Sequence, residues 1–210
     1  MFGSNRMKSI LAIYALLPFL LLACTPTGTR NKTTAIPYDS LRNGDIVFRR
    51  GCSYTSYIVL ANDNNHDYSH IGLVQQSDSG WCVIHAVNDE PDYPGDFDRV
   101  KIDKIEEFFS PSRATSGEIM HSWLNDSLAN IVSKQALQLL NDSVRFDASF
   151  STDDHSELYC TEFIYFLYKN IGEDITEGRR TPVGIFCFPE EIIFPSDIHE
   201  NKKLKSFCKF

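Results

Sequence analysis

The sequence predicts an α+β fold, a small and mostly antiparallel sheet with helices packed against it. Three observations carry this. Residues 45–50, Ser69–Val74 and Trp81–Val87 read as strands separated by turn chemistry. Residues 128–140 and 160–171 repeat apolar side chains at helical spacing. No internal repeat or low-complexity block divides the chain, so one core should serve the whole domain.

Taken in order, Asn43-Gly44 is a turn signal leading into the strand Asp45-Ile46-Val47-Phe48-Arg49-Arg50. Residues 61–67 form a polar loop. The next two strands are joined by Gln75-Gln76-Ser77-Asp78-Ser79-Gly80, which reads as a hairpin turn. If the turn centres between Ser77 and Asp78, Val74 pairs with Trp81, Gly72 with Val83, and His70 with His85. Directly opposed side chains lie roughly 4.5–5.5 Å apart at Cβ, so the two histidines should be neighbours on one face. Residues 103–109 suggest a short amphipathic helix. A longer one spans 128–140, with Leu128, Ile131, Val132, Leu139 and Leu140 on its apolar face. The helix at 160–171 buries Phe163, Ile164, Leu167 and Ile171 and stops at Gly172. Its start reads two ways. Asp154 with Glu157 resembles a capping box that would put Cys160 one turn in; alternatively, Leu158-Tyr159 is extended and the helix begins at Cys160. The C-terminal part, with its aromatics and prolines, should fold as loop and short strand over the core.

The N-terminus reads as targeting. Arg6 and Lys8 precede an uncharged run from Ile10 to Leu22, too short for a comfortable membrane span, which ends in Leu21-Leu22-Ala23-Cys24. That ending resembles a bacterial lipobox, so residues 1–23 are expected to be a lipoprotein signal peptide. Cys24 would carry the lipid, residues 24–37 would form a polar tether, and 38–210 would be the domain. The expected location is the bacterial cell envelope, lipid-anchored and facing the periplasm or outside. The chain carries a net charge of −8, and losing Arg6 and Lys8 would leave −10. Such an acidic protein lacks the basic stripe that nucleic acid requires.

There is no Gly-x-Ser-x-Gly elbow, His-Glu-x-x-His helix, Cys-x-x-Cys pair or phosphate-cradling glycine loop. Attention falls instead on Cys160 with His70 and His85. A cysteine near a helix start meets free N–H groups that favour a thiolate, and an adjacent imidazole could depress its pKa to roughly 3.5–7.5. On the residues alone, a buried structural cysteine and two strand histidines without a role remain open. His66, four residues before His70, sits in loop leading to strand and makes a poor metal pair. Asp45 should secure the loop before its strand. His121, His155 and His199 fall in polar stretches and are expected at the surface. Cys52, Cys82, Cys187 and Cys208 are expected as buried free thiols, with Cys82 alternating away from His85.

Three segments resemble the permuted papain-like amidases of the YaeF/YiiX type, within the NlpC superfamily of cell-wall hydrolases. Leu41-Arg42-Asn43-Gly44-Asp45 resembles the family's opening strand motif. Ser69-His70-Ile71-Gly72-Leu73-Val74 resembles the strand bearing its catalytic histidine. Tyr159-Cys160-Thr161-Glu162-Phe163-Ile164-Tyr165 resembles the helix start bearing its nucleophile. Arg145 to Phe150 also fits, and the similarity spans about residues 38–200. The resemblance implies a circularly permuted papain-like fold, with histidine before cysteine in the chain. It further implies Cys160 as nucleophile, His70 as base and His85 as the orienting third residue, with no metal or organic cofactor. The implied activity is amide hydrolysis, with a peptidoglycan-type peptide or cell-wall fragment as substrate. A lipid acyl hydrolase or acyltransferase of the lecithin:retinol acyltransferase-like type is an alternative, which a long apolar groove at Cys160 would favour. A non-catalytic cell-wall-binding lipoprotein is another.

Overall fold

Gly44, at φ +85°, turns the chain into the first strand, β1 (Ile46–Gly51), and a Cβ there would come within 3.3 Å of Ala129 Cβ. Asp45 holds this turn: its Oδ2 accepts the Arg42 N–H at 2.9 Å, and its Oδ1 faces His121 Nδ1 at 3.0 Å. The computed structural model describes residues 36–152, 154–184 and 189–210. The expected signal peptide, Cys24, nearly all of the tether, and Cys187 lie outside the described residues.

A helix absent from the sequence reading follows: α1 (Tyr54–Asn62), capped by Ser53, whose hydroxyl accepts the Ser56 N–H at 3.1 Å. Tyr54, Tyr57 and Ile58 are exposed on it and only Ser56 and Leu60 are buried, so it has no apolar stripe to announce it. The polar loop expected over 61–67 therefore starts after Asn62. Next come β2 (His70–Ser77), β3 (Gly80–Val87), β4 (Arg99–Lys104) and the one-turn helix α2 (Ile105–Phe108). The helix expected at 103–109 is thus only four residues long, and Asp103 and Lys104 end a strand. β5 (Ala114–His121) precedes α3 (Asp126–Asn141) and α4 (Cys160–Lys169). The chain closes with the two-residue strands β6 (Thr181–Pro182) and β7 (Glu191–Ile192), then α5 (Pro195–His199) and β8 (Lys205–Lys209).

Six strands pair antiparallel in the order β4-β3-β2-β1-β5-β8. Alternation gives the sheet two distinct faces. Ile46, Phe48, Ile71, Leu73, Ile84 and Val100 point to the main core, where Val132 and Ala136 of α3 and Phe163, Ile164 and Leu167 of α4 meet them. Each of these side chains larger than alanine contributes roughly 1.5–3 kcal/mol by leaving water. The opposite face packs Val47, Val74, Val83 and Ile119 under Ile105 and Phe108. In α3 the deepest stripe is Ala129, Val132, Ser133 and Ala136 rather than the expected leucines, and Ile131 is exposed. Small side chains let this helix lie close to the sheet, and they carry almost no hydropathy signal.

The hairpin register differs from expectation by two residues. Ser77 pairs with Gly80, Val74 with Val83 and Leu73 with Ile84, so the turn centres on Asp78-Ser79. Extending that register puts Gly72, not His70, opposite His85. A two-residue shift preserves parity, and both histidines stay on the same face. They meet on the diagonal.

Candidate active site

His70 is the first residue of β2, and His85 lies diagonally across from it on β3. Their side chains join directly, His70 Nε2 to His85 Nδ1 at 2.8 Å, with the rings at 76° and their centroids 5.0 Å apart. The same diagonal step, repeated onto β4, brings Asp103 Oδ2 to 3.0 Å from His85 Nε2. Three adjacent strands thus carry a hydrogen-bonded series, His70–His85–Asp103. Phe108 of α2 covers both rings, at 5.7 and 5.2 Å between centroids. Arg49, beside His70 in register on β1, lays its guanidinium 4.5 Å over the Phe108 ring and donates to the Phe108 carbonyl at 3.0 Å.

Charge is dense on this face. Asp103 also receives Arg113 at 2.5 Å and stands 3.6 Å from Lys101 Nζ. Glu90 pairs with Arg49 and with Arg113. Burial pushes His70 well below the usual imidazole value, and Arg49, His85 and Arg113 push it the same way. Burial also lowers His85, but Asp103 works against that. Asp103 itself would be raised by burial, yet its bonds to His85 and the charges of Lys101 and Arg113 hold it far below the ordinary carboxylate range.

Of the two starts expected for α4, the second holds, with Cys160 as its first residue. Asp154 instead closes a local turn, accepting the Ser156 N–H at 2.7 Å. Capping falls to Glu162, which accepts the Tyr159 N–H at 3.4 Å and pairs with His155 at 2.8 Å; burial pushes its carboxyl up to about 8. Thr161 Oγ1 donates to the Ile193 carbonyl at 2.6 Å, and the Ile193 N–H donates to Tyr159 Oη at 3.2 Å. These bonds fix the helix tip.

The expected depressed thiol is reversed. Burial pushes Cys160 up to about 11, outweighing the backbone N–H groups of Thr161 and Ile71 and the charge of Arg49, all of which favour the thiolate. Cys160 and His70 border one small niche of about 30 Å³, shared with Arg49, Ser69 and Asn88 and with the apolar Val87 and Phe146. No hydrogen bond joins the thiol and the ring among the described residues. From Cys160 a second, larger cleft of about 260 Å³ extends between Ile58, Phe146, Phe150, Ile192 and Phe194. The Arg145–Phe150 segment, noted in the sequence, supplies two of these walls.

Elsewhere the expectations divide. His155 is at the surface as expected, whereas His121 and His199 are half-buried, and each of the three meets a buried carboxylate: Asp45, Glu162 and Glu118 for His121, His155 and His199 in turn. Cys52, Cys82 and Cys208 are free thiols, with Cys52 only half-buried. The sequence reading missed Asp103, Arg49, Arg113 and Phe108. The alternation Val100-Lys101-Ile102-Asp103, apolar and charged by turns, was the available strand signal.

Gly72 creates the space for His85. A Cβ at that position would lie 2.4 Å from Val83 Cγ1 and 3.2 Å from His85 Cβ. Gly72→Ala is expected to destabilise the fold by about 1–3 kcal/mol through overpacking. It should also shift the His85 ring resonances in NMR spectra; unchanged stability and shifts would refute this account of the glycine.

No protein family and no curated protein matches the sequence. Among solved structures, the crystal structure of the metalloprotein YiiX from Escherichia coli O157:H7 is similar, with a TM-score of 0.65 and 18% identity over 80% of this chain and 97% of that one. The fold of this chain is therefore of the YiiX type, an α+β arrangement of a six-stranded antiparallel sheet against helices.

Proposed function

We propose that the protein is a cysteine-dependent hydrolase working by acyl transfer, with Cys160 as nucleophile, His70 as base and His85 orienting His70. The observation that carries this reading is that a thiol on a helix tip and an imidazole on a strand start line one niche, at the head of a larger cleft. Cys160 Sγ attacks an amide or ester carbonyl while its proton passes to His70. The N–H groups at the start of α4 hold the developing oxyanion. The leaving group departs with the proton from His70, and a thioester remains on Cys160. Water, deprotonated by His70, then releases the acid. Because the resting pair is neutral, thiol and imidazole, proton removal and attack occur together.

The lining of the cleft bears on the substrate. A peptidoglycan-type peptide is polar and charged, and walls of Ile58, Phe146, Phe150, Ile192 and Phe194 offer it little. The same walls suit an apolar acyl chain, so the lipid acyl reading has a specific observation behind it. The anchor at Cys24 would place such an enzyme beside lipid in the cell envelope; no described helix is long and apolar enough to cross a membrane. YiiX is named a metalloprotein. Among the described residues here, no three His, Cys, Asp or Glu side chains are placed to share an ion, and both ring nitrogens of His85 already have partners. These residues do not fit a metal, and no step is routed through one.

The test compares wild type with Cys160→Ala on p-nitrophenyl esters of increasing chain length, on phospholipid vesicles and on digested cell wall. Mass spectrometry should find an acyl adduct on Cys160, formed faster as the chain lengthens until the cleft is full. Identical products from both proteins, with no adduct, would leave only a binding role.

A further inference from the structure

Deepening that reading, we propose that His70 and His85 form a two-ring proton relay and that Asp103 is its positioning residue, fixing which nitrogens carry protons. Asp103 Oδ2 lies 3.0 Å from His85 Nε2, so that nitrogen must donate. With its proton on Nε2, a neutral His85 presents a bare Nδ1. His70 Nε2 lies 2.8 Å from that atom and must donate to it. A neutral His70 then carries its only proton on Nε2, and its Nδ1 is a free lone pair on the ring that lines the niche with Cys160. One carboxylate, two strands away, thereby selects the basic nitrogen.

The same series moves charge. As Sγ bonds to the substrate carbonyl, the thiol proton goes to His70 Nδ1. The proton on His70 Nε2 passes to His85 Nδ1, and His85 keeps its Nε2 proton toward Asp103. The positive charge thus leaves the ring beside Arg49 and settles on the ring beside a carboxylate, while Asp103 stays ionised throughout. Collapse of the intermediate reverses both transfers and delivers one proton to the leaving group. The charged groups facing the relay are Arg49 from β1, Asp103 and Lys101 from β4, Glu90 from the segment before β4, and Arg113 just before β5. Arg113 and Lys101 hold Asp103 ionised, and among these charged groups Asp103 is the one hydrogen-bonded to His85.

The experiment is ¹⁵N NMR of histidine-labelled full-length protein, with His70→Gln to assign the rings, beside the pH profile of Cys160 alkylation by iodoacetamide. At pH 7 both rings should carry their proton on Nε2, and on acidification His85 should gain the first extra proton. A proton on His85 Nδ1 at pH 7, or first protonation at His70, overturns the proposal on wild-type protein alone, however the variants fold. Asp103→Asn should slow alkylation at pH 7 about 10-fold or more, leave it unchanged at pH 10, and be partly rescued by Asp103→Glu. A variant profile that superimposes on wild type also overturns it. Because the tautomers are read without substrate, a failed relay and a failed hydrolase reading give different results.

Discussion

His70→Gln is expected to lower acyl transfer by about 10²–10⁴-fold, the usual worth of a general base, while leaving the fold intact. The glutamine amide can still donate to His85 Nδ1 but offers no basic nitrogen to the niche. The effect should depend on pH in a defined sense. Burial raises the Cys160 thiol to about 11, so its ionised fraction grows as pH rises toward that value and is small at pH 7. Wild-type activity is therefore expected to rely on His70 most near neutrality, and the ratio of wild-type to variant rate should shrink as the pH approaches 10. Initial rates on a short-chain ester between pH 4 and 10 check this. A wild-type plateau from pH 4 to 8 would instead mean a preformed thiolate and would contradict the buried, neutral pair.

The second large effect is expected at a residue that does not line the cleft. Glu118, fully buried on β5, accepts from Tyr68 Oη at 2.9 Å, His199 Nε2 at 2.8 Å and Lys209 Nζ at 3.0 Å. Burial alone would raise its carboxyl, but these donors hold it at about 2. Glu118→Ala leaves the donors facing a void and should lower unfolding stability at pH 7 by about 3–5 kcal/mol in urea titration. The sign of the pH dependence follows from the depressed value. The contribution is complete above the unfolded carboxyl pKa of about 4.3. It is lost as pH falls toward about 2. Wild-type stability should therefore drop across that window, and the Ala variant should be flatter there. Equal slopes for both would show that this cluster does not govern acid stability.

Much of the architecture was legible because it rests on strong local patterns. The strands around Val47, Ile71 and Ile84 alternate or run apolar, and α4 repeats Phe163, Ile164 and Leu167 at helical spacing. The thiol and both histidines stood out by residue type. What was not legible depends on tertiary context. α1 has no apolar stripe, so nothing marked it. α3 buries alanine and serine, which carry little hydropathy. Asp103 was lost because the Ile-Glu-Glu-Phe turn after it drew the reading of residues 103–109 toward helix. The direction of the thiol shift was also out of reach, since helix position argues for a lower value and only packing shows that burial wins.

The chain order of the His70–His85–Asp103 series and Cys160 has a consequence for assembly. The three relay residues fall within one run of consecutive antiparallel strands, whose contacts close short loops. The cysteine joins them only by closing a segment of about ninety residues, and closure grows costlier with length. A nascent or partly unfolded chain can therefore hold a complete histidine series and still be chemically silent. Under the proposed mechanism turnover requires this long-range docking, which would make activity a report of it.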